Sequence, residues 1–543
     1  FAIAFAVSAR CVNHGLVSSS VRSGPGLTLD ESFNVGQGIY LFESALDHGP
    51  LMFTPSGAEQ VFGRKGYLPD HPPLGRLAIG AVHELTRPLV ASQSRELPYS
   101  VVSARLASAM LFAVTVWLVG WYAARWYGAL AGIVAAASLC SMPRAFGHAH
   151  LAALETAIGL MFTGTVLFAA NRLARISADR VASQIPFPWW PACLTGLWLG
   201  LALLTKIQAV LLPIPIGLWA VWQWRWRAVP LMLLVGVVGV FVFLIGWPWL
   251  WLDPVAHLRE YFASKAQRPT LYCYYLGQRY ADVDIPWHYP VVLFLVTMPA
   301  GLHLLGLWGL WFRSASAREA TGPRVDPRIA LPAVVVVFVL GFFALPGVTV
   351  YDGARLFLVI APLWAVIVGT GVARLWRSSR TNRVRRWSVV LLMAAGVGDG
   401  LWGLAATHPC YLSYYSIAVG GLRGADRIGL EPTYWRDSLT REFLDEVADA
   451  VPSGTTLYVA PVLHPANRID LELLSPILQQ HGLRLDSFDD RDPAKTDMRY
   501  VLVFRRHADP WSSLEPAPAG GTLVCEVRRS DVQLTALYDL SGP

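Results

Sequence analysis

Five short clusters in this 543-residue chain bring together residue types that can do acid–base or phosphate chemistry. The first is the adjacent pair Asp30-Glu31, just ahead of an amphipathic stretch. A carboxylate in a partly desolvated pocket can take a proton from an attacking hydroxyl, although at a helix start it equally serves as a cap or complements the dipole. The second is His71-Pro72-Pro73-Leu74, where two prolines fix an extended turn and present the histidine before the next helix. The third holds Pro143, Arg144, His148, His150 and Glu155. Ionisable residues at membrane depth are costly and face a cavity or a partner; capping a membrane interface is the other reading of the two histidines. The fourth is Lys206. The chain has only Lys65, Lys206, Lys265 and Lys495 against 40 arginines, so a compact ammonium beside an apolar run suggests a point charge for phosphate, with snorkelling to the interface as the competing explanation. The fifth is Tyr351-Asp352-Gly353-Ala354-Arg355, whose guanidinium is poorly placed for a helix dipole and needs Asp352 or an external anion as partner. Asp399 receives no role.

The elements that must position these residues are membrane helices. With 54% hydrophobic and 15% charged residues, the chain would expose large apolar patches as a soluble globule, which excludes an ordinary cytosolic enzyme. Charge-free runs of about 20 residues, the length that crosses a bilayer, lie between Arg105 and Arg125, Arg125 and Arg144, Arg180 and Lys206, Lys206 and Arg225, Arg227 and Asp253, Asp284 and Arg313, Arg328 and Asp352, and Arg355 and Arg374. Less clean spans run from Thr156 to Asn171 and from Trp387 to Ala406, and Phe1 to Val7 reads as the tail of a first membrane helix. The expectation is about eleven crossings. Trp222, Trp224 and Trp226, and Trp247, Trp249 and Trp251, read as aromatic belts at the two interfaces.

Alternate loops carry sixteen arginines accompanied only by Asp179, Glu319 and Asp326, which places those loops in the cytoplasm. The opposite loops, 18–100, 253–287 and everything after His408, then face outward. Residues 1–408 read as the membrane domain and 409–543 as a small α/β domain, with helices near 439–450 and 470–481 and strands near 455–460, 498–504 and 522–528. Cysteines 11, 140, 193, 273, 410 and 525 show no metal or redox spacing; Cys410 and Cys525 could pair if both lie outside the cytoplasm. No dense basic stretch with a nucleic-acid fold signature occurs, so nucleic acid is not an expected partner.

Taken in order, Asp30-Glu31, His71-Pro72-Pro73-Leu74, Arg105, Gly200 to Lys206 and the loop ending in Arg355 resemble the GT-C fold glycosyltransferases of family 39, over residues 1 to about 410. That family includes dolichyl-phosphate-mannose protein mannosyltransferases and the aminoarabinose lipid A transferase. The resemblance implies an all-α polytopic membrane body. It implies a polyprenyl-phosphate-linked sugar as donor, Asp30 as catalytic base with Glu31 beside it, and Lys206, Arg355 and Arg105 as ligands of the lipid phosphate. His71, His148, Glu155, Tyr351 and Asp352 are the further active-site candidates. The family usually has an aspartate where this chain has Glu155, and a divalent metal held by Glu155, His71 and His148 is left open. His408 to Tyr415, Gly420-Gly421 and Glu431 to Trp435 resemble the end of bacterial relatives and carry no assigned role.

The implied chemistry is coherent, because a phosphate leaving group needs fixed positive charge rather than a strong acid. One base opposite the leaving group implies inversion, by analogy with single-displacement glycoside chemistry. The expectation is therefore a bacterial inner-membrane enzyme that transfers a sugar, a mannose-like hexose by resemblance, to a protein, lipid or glycan hydroxyl on the extracytoplasmic face. A transporter or flippase of a lipid-linked saccharide and a catalytically inactive lipid-binding relative are the alternatives.

Overall fold

The computed structural model describes residues 2–10, 24–89, 97–175, 189–266, 269–311, 326–379, 381–488, 498–509, 518 and 520–541. Asp179, Arg180, Arg313, Arg318, Glu319, Arg324, Arg380 and Cys11 lie outside them.

Among the described residues, five helical stretches are long and apolar enough to cross a bilayer: Val101–Tyr127, Leu154–Arg172, Ile207–Gly246, Arg355–Ser378 and Arg383–Thr407. Tyr289–Val296 and Ala300–Leu310 make a sixth only as a pair bent by 109°. Ala129–Cys140, Trp189–Leu203 and Pro327–Phe343 are shorter apolar helices. Against the expected eleven crossings, five or six described stretches reach that length, and the Ile207–Gly246 stretch holds two helices, Pro213–Trp224 and Val229–Gly246. At Pro299 the missing N–H ends one helix, and the freed Ala300 N–H donates to Asp399 Oδ2 at 3.3 Å, which also accepts from Ser416 Oγ. Asp399 is thereby a structural acceptor. Of the tryptophans read as belts, Trp222 and Trp226 are exposed, whereas Trp224, Trp247 and Trp249 are buried inside the protein; Trp247 Nε1 donates to Tyr67 Oη at 2.7 Å.

Val101–Tyr127, Leu154–Arg172 and Arg355–Ser378 all start at one end of the bundle. Their far ends meet: Trp126 Nε1 bonds Asn171 at 3.1 Å, Tyr127 Oη bonds Asp326 at 2.6 Å, and the Arg374 guanidinium lies 5.3 Å from the Tyr127 ring. The arginine-bearing termini therefore gather at the pole away from Asp30, Glu155 and Arg355.

The first long loop folds as the helices Glu31–His48 and Pro73–Thr86. Pro72 is extended (ψ 157°) and Pro73 opens the second helix, as the sequence predicts, since proline fits the first helical turn. The two helices cross where glycines meet. A Cβ on Gly80 would lie 1.9 Å from the Gly38 carbonyl oxygen, and one on Gly38 would lie 2.4 Å from that of Arg76. Both contacts are backbone, so neither can yield by a rotamer change. Gly80→Ala is expected to destabilise the protein by about 1–3 kcal/mol or more, read as an earlier unfolding midpoint in detergent, whereas Gly36→Ala, inside the Glu31–His48 helix but facing open space, is expected to raise stability by about 0.5–1 kcal/mol. Buried Arg76 ties the crossing together, with Nε on Asn34 (3.2 Å) and a bidentate pair on Asp70 (2.7 and 2.9 Å) beside His71.

Residues after His408 include a five-stranded mixed sheet ordered β4-β3-β5-β7-β6. Its strands are β3 (Thr456–Ala460), β4 (Arg484–Ser487), β5 (Tyr500–Phe504), β6 (Thr522–Arg529) and β7 (Val532–Asp539). β3 runs parallel to β4 and β5, and β7 antiparallel to β5 and β6. β4 and β7 escape the sequence reading, and the helix expected near 470–481 is two, Pro465–Leu474 and Pro476–Gln480. Two shorter strands, Tyr272–Tyr275 (β1) and Gln278–Ala281 (β2), form a hairpin in the second long loop. Gly277 at its tip donates to Gly429 O at 3.0 Å and docks the hairpin on the C-terminal segment. Cys410 and Cys525 are free thiols, as are Cys140, Cys193 and Cys273.

Candidate functional site

Asp30, His71, Lys206, Tyr351, Asp352 and Arg355 line one cavity of about 690 Å³. Six residues scattered over 325 positions of sequence are gathered by helix starts and helix breaks. Asp30 precedes the Glu31–His48 helix, and Arg355 opens the turn that leads into Ala361–Ser378. Lys206 stands in extended backbone (φ −162°, ψ 154°), where the Trp189–Leu203 helix has stopped and before Ile207–Leu211 begins. Leu74 N–H donates to the Leu204 carbonyl at 3.0 Å, so the start of the Pro73–Thr86 helix satisfies a group left by that break. The lysine is turned inward to the cavity and does not snorkel. Apolar side chains complete the wall, among them Ile207, Val210, Leu211, Phe342, Phe343 and Leu356.

Arg355 is the hub. Its Nη2 donates to Asp30 Oδ2 at 2.5 Å, Nε to Glu155 Oε1 at 2.7 Å and Nη1 to Asp352 Oδ2 at 3.0 Å. Lys206 Nζ donates to the same Glu155 oxygen at 2.6 Å. Glu155 lies behind the cavity wall and holds two cations at the spacing one anion would need, while its Oε2 is buried without a hydrogen bond. Asp352 and Gly353 both have positive φ (54° and 63°), a left-handed pair that turns the carboxylate back toward Arg355. Asp30 remains the accessible acid, with 38% of its side chain exposed against 3% for Glu155.

Two contributors carry no signal in the sequence. Trp435 has φ +60°, unusual for an aromatic residue. Its ring lies 3.8 Å under the Arg355 guanidinium, and its Nε1 donates to Asp352 Oδ2 at 3.0 Å. Arg506, just past β5, reaches Asp352 Oδ1 at 3.2 Å and also lines the cavity. The segment Glu431 to Trp435 stands out in sequence only as a resemblance, and Arg506 only as one arginine among many.

Three candidates lie elsewhere. Glu31 is fully buried and accepts five hydrogen bonds: from Arg105 Nε and Nη2, Thr28 N and Oγ1, and Ala152 N, at 2.7–3.0 Å. Burial alone would raise its pKa, but the Arg105 charge and these bonds outweigh it and hold the carboxyl below the usual range. Arg105 is spent on the same pair and on the Pro25 and Gly26 carbonyls, at 2.8 and 2.7 Å. Both are corrections: Glu31 is no second base and Arg105 no phosphate ligand, because neighbouring side chains on a helix diverge by about 100° and Glu31 points away from the cavity. His148 is buried against Trp435, with ring centroids 5.3 Å apart. Burial, reinforced by Arg355, Lys206 and Arg144 against Glu155, lowers its pKa to about 4, so it is neutral and off the cavity wall. Among the described residues no three of His, Cys, Asp or Glu are placed to hold a metal ion; Glu155, His71 and His148 do not fit as a ligand set.

The joint between the first loop and the C-terminal segment contains a buried acid. Asp437 accepts from Thr433 Oγ1 at 3.1 Å and Leu412 N at 3.4 Å, and its backbone oxygen accepts from Gly26 N at 2.8 Å. Burial pushes its pKa up to about 6, against the lowering effect of the Thr433 and Leu412 bonds and of Arg144. The folded state therefore holds the proton longer than the unfolded chain. Stability from this group is complete below pH ~4, falls as pH rises to about 6, and is level above, by about 3 kcal/mol. Asp437→Asn is expected to flatten that fall, measured as unfolding midpoint against pH.

Residues 70–249 match the family model described as Dolichyl-phosphate-mannose-protein mannosyltransferase. No curated protein matches the chain in sequence. Among solved structures, apo ArnT from Cupriavidus metallidurans is similar with a TM-score of 0.50 at 14% identity, over 100% of this chain and 98% of that one. ArnT of the same organism bound to undecaprenyl phosphate gives 0.49 at 15%, with the same coverage. The Archaeoglobus fulgidus oligosaccharyltransferase complex with Zn and sulfate gives 0.46 at 13%, over 93% of this chain and 67% of that one. The chain thus has the GT-C fold seen in ArnT, and residues 70–249 are similar in sequence to the family model described as Dolichyl-phosphate-mannose-protein mannosyltransferase.

Proposed function

We propose that the chain is an integral-membrane glycosyltransferase that moves a sugar, a mannose-like hexose by family resemblance, from a polyprenyl-phosphate donor to an acceptor hydroxyl. The observation that carries this reading is one cavity with an accessible carboxylate, Asp30, two buried cations, Lys206 and Arg355, and an apolar wall. That combination suits an amphiphile with an anionic head and a long hydrocarbon tail. The acceptor O–H proton passes to Asp30, the oxygen attacks the anomeric carbon, and the C–O bond to phosphate breaks with its electron pair. The leaving phosphate gains a negative charge, which Lys206 and Arg355 stabilise without any reorganisation of solvent. Arg355 holds Asp30; a bound phosphate competes for that guanidinium and releases the base. Attack from the side opposite the phosphate gives inversion. The arginine-bearing helix ends at the far pole support an extracytoplasmic position for the cavity, and for the C-terminal sheet with it.

The test is proteoliposomes of the purified chain given polyprenyl-phosphate-linked radiolabelled mannose and a panel of peptide, lipid and glycan acceptors. Label is expected on one acceptor class, with polyprenyl phosphate released. Movement of intact donor between leaflets without cleavage would replace this reading by that of a flippase.

A further inference from the structure

The three cavity cations are not equally available. Lys206 is 5% exposed and Arg355 8%, and both spend donors on Glu155. Arg506 is 16% exposed and lines the cavity. Its bond to Asp352 uses one Nη2 hydrogen, which leaves its other N–H groups to offer. Asp352 joins the two guanidiniums, with Arg355 on Oδ2 and Arg506 on Oδ1, so the two forks stand side by side at the cavity wall.

The backbone that carries Arg506 is fixed from three directions. His507 N and Ala508 N both donate to the Glu431 carboxylate at 2.7 Å. Arg279 Nε, on the β2 strand, donates to His507 O at 2.5 Å, and the Tyr274 ring on β1 lies 4.8 Å from the His507 ring. Arg505 N donates to Leu534 O on β7 at 2.8 Å. A guanidinium held this way is preorganised, so ordering it on binding costs little.

Charge points the same way. Asp30, Glu155 and Asp352 balance Lys206, Arg355 and Arg506 around the site. During transfer Asp30 becomes neutral as it takes the proton, while the phosphate gains a charge. Negative charge therefore moves from the base to the phosphate, where an available fork matches phosphate geometry.

We propose that Arg506, delivered by the C-terminal sheet domain, is a direct ligand of the donor's phosphate, so that this domain completes the donor site. The proposal rests on the lipid-phosphate reading above. It is tested with the purified full chain titrated with undecaprenyl phosphate and, separately, with the unphosphorylated polyprenol. The wild-type chain is expected to prefer the phosphate. Arg506→Gln is expected to weaken phosphate binding about 10–100-fold, the worth of a charged hydrogen bond, with polyprenol binding unchanged. Arg506→Lys, which keeps the cation, is expected to recover most of the loss. In turnover, Arg506→Gln raises the donor KM and also lowers kcat, since the phosphate it holds gains charge in the transition state. Wild-type affinity for the phosphate in Arg506→Gln overturns the proposal and leaves the lipid-phosphate reading intact. A fall in kcat with donor KM unchanged also overturns it, since Arg506 would then act only through Asp352. A wild-type chain that binds both lipids alike overturns the reading itself. Should Arg506→Gln lose both lipids through misfolding, Arg506→Lys decides: retained phosphate preference supports the ligand role and lost preference overturns it.

Discussion

Asp30→Asn is expected to lower kcat for sugar transfer by about 10²–10⁴-fold, the usual contribution of a positioned general base, while donor binding changes little. The amide keeps the shape of the carboxylate and cannot accept the hydroxyl proton. Donor affinity is spared because Lys206, Arg355 and Glu155 stay in place; the variant removes only the Arg355 Nη2 contact at Oδ2. Arg355, 8% exposed, keeps Glu155 and Asp352 as partners, so the substitution strands no buried charge and the fold is expected to stand. Steady-state turnover and equilibrium donor binding, measured on the same preparation, separate the two effects. Unchanged kcat would remove Asp30 from the chemistry.

The neighbouring substitution has the opposite character. Glu31→Ala is expected to destabilise the protein by about 3–5 kcal/mol, because it strands the Arg105 guanidinium in a fully buried site. It also deprives Thr28 and Ala152 of their acceptor. The carboxyl lies below the usual range in the folded state, so its contribution is present above the ordinary glutamate pKa and is lost as pH falls through the depressed value. Wild type should therefore lose stability on acidification and Glu31→Ala should lose less. Replacing both partners, Glu31→Met with Arg105→Met, is expected to recover part of the loss, since a buried pair can be exchanged for apolar packing of similar volume. Unfolding in mixed detergent micelles across pH measures all three. A Glu31→Ala variant as stable as wild type would contradict the structural role of the pair.

These two adjacent carboxylates show how far the sequence carries. Residue type and order suffice to bring Asp30, His71, Lys206 and Arg355 to one cavity, because each sits beside a helix start or an apolar run whose end is readable. They do not separate Asp30 from Glu31, since that depends on which way the first helical turn faces. They do not show the break at Pro299 or the extended backbone at Lys206, because apolar composition is continuous through both. Trp435 and Arg506 are beyond reach for another reason. Each meets Asp352 across more than 80 residues of sequence, and no local pattern encodes such a meeting. In sequence Glu155 stands where the family usually has an aspartate; in the structure its longer side chain bridges Lys206 and Arg355.

The most direct measurement is an experimental structure of the chain with a polyprenyl phosphate bound. The phosphate is expected in the 690 Å³ cavity, within hydrogen-bond reach of Lys206, Arg355 or Arg506, its chain leaving past Val210, Leu211, Phe342 and Phe343, and Asp30 freed from Arg355 across the anomeric position. A phosphate bound instead in the separate cavity beside Arg105 and Arg441, with the Asp30–Arg355 pair intact, would contradict the account.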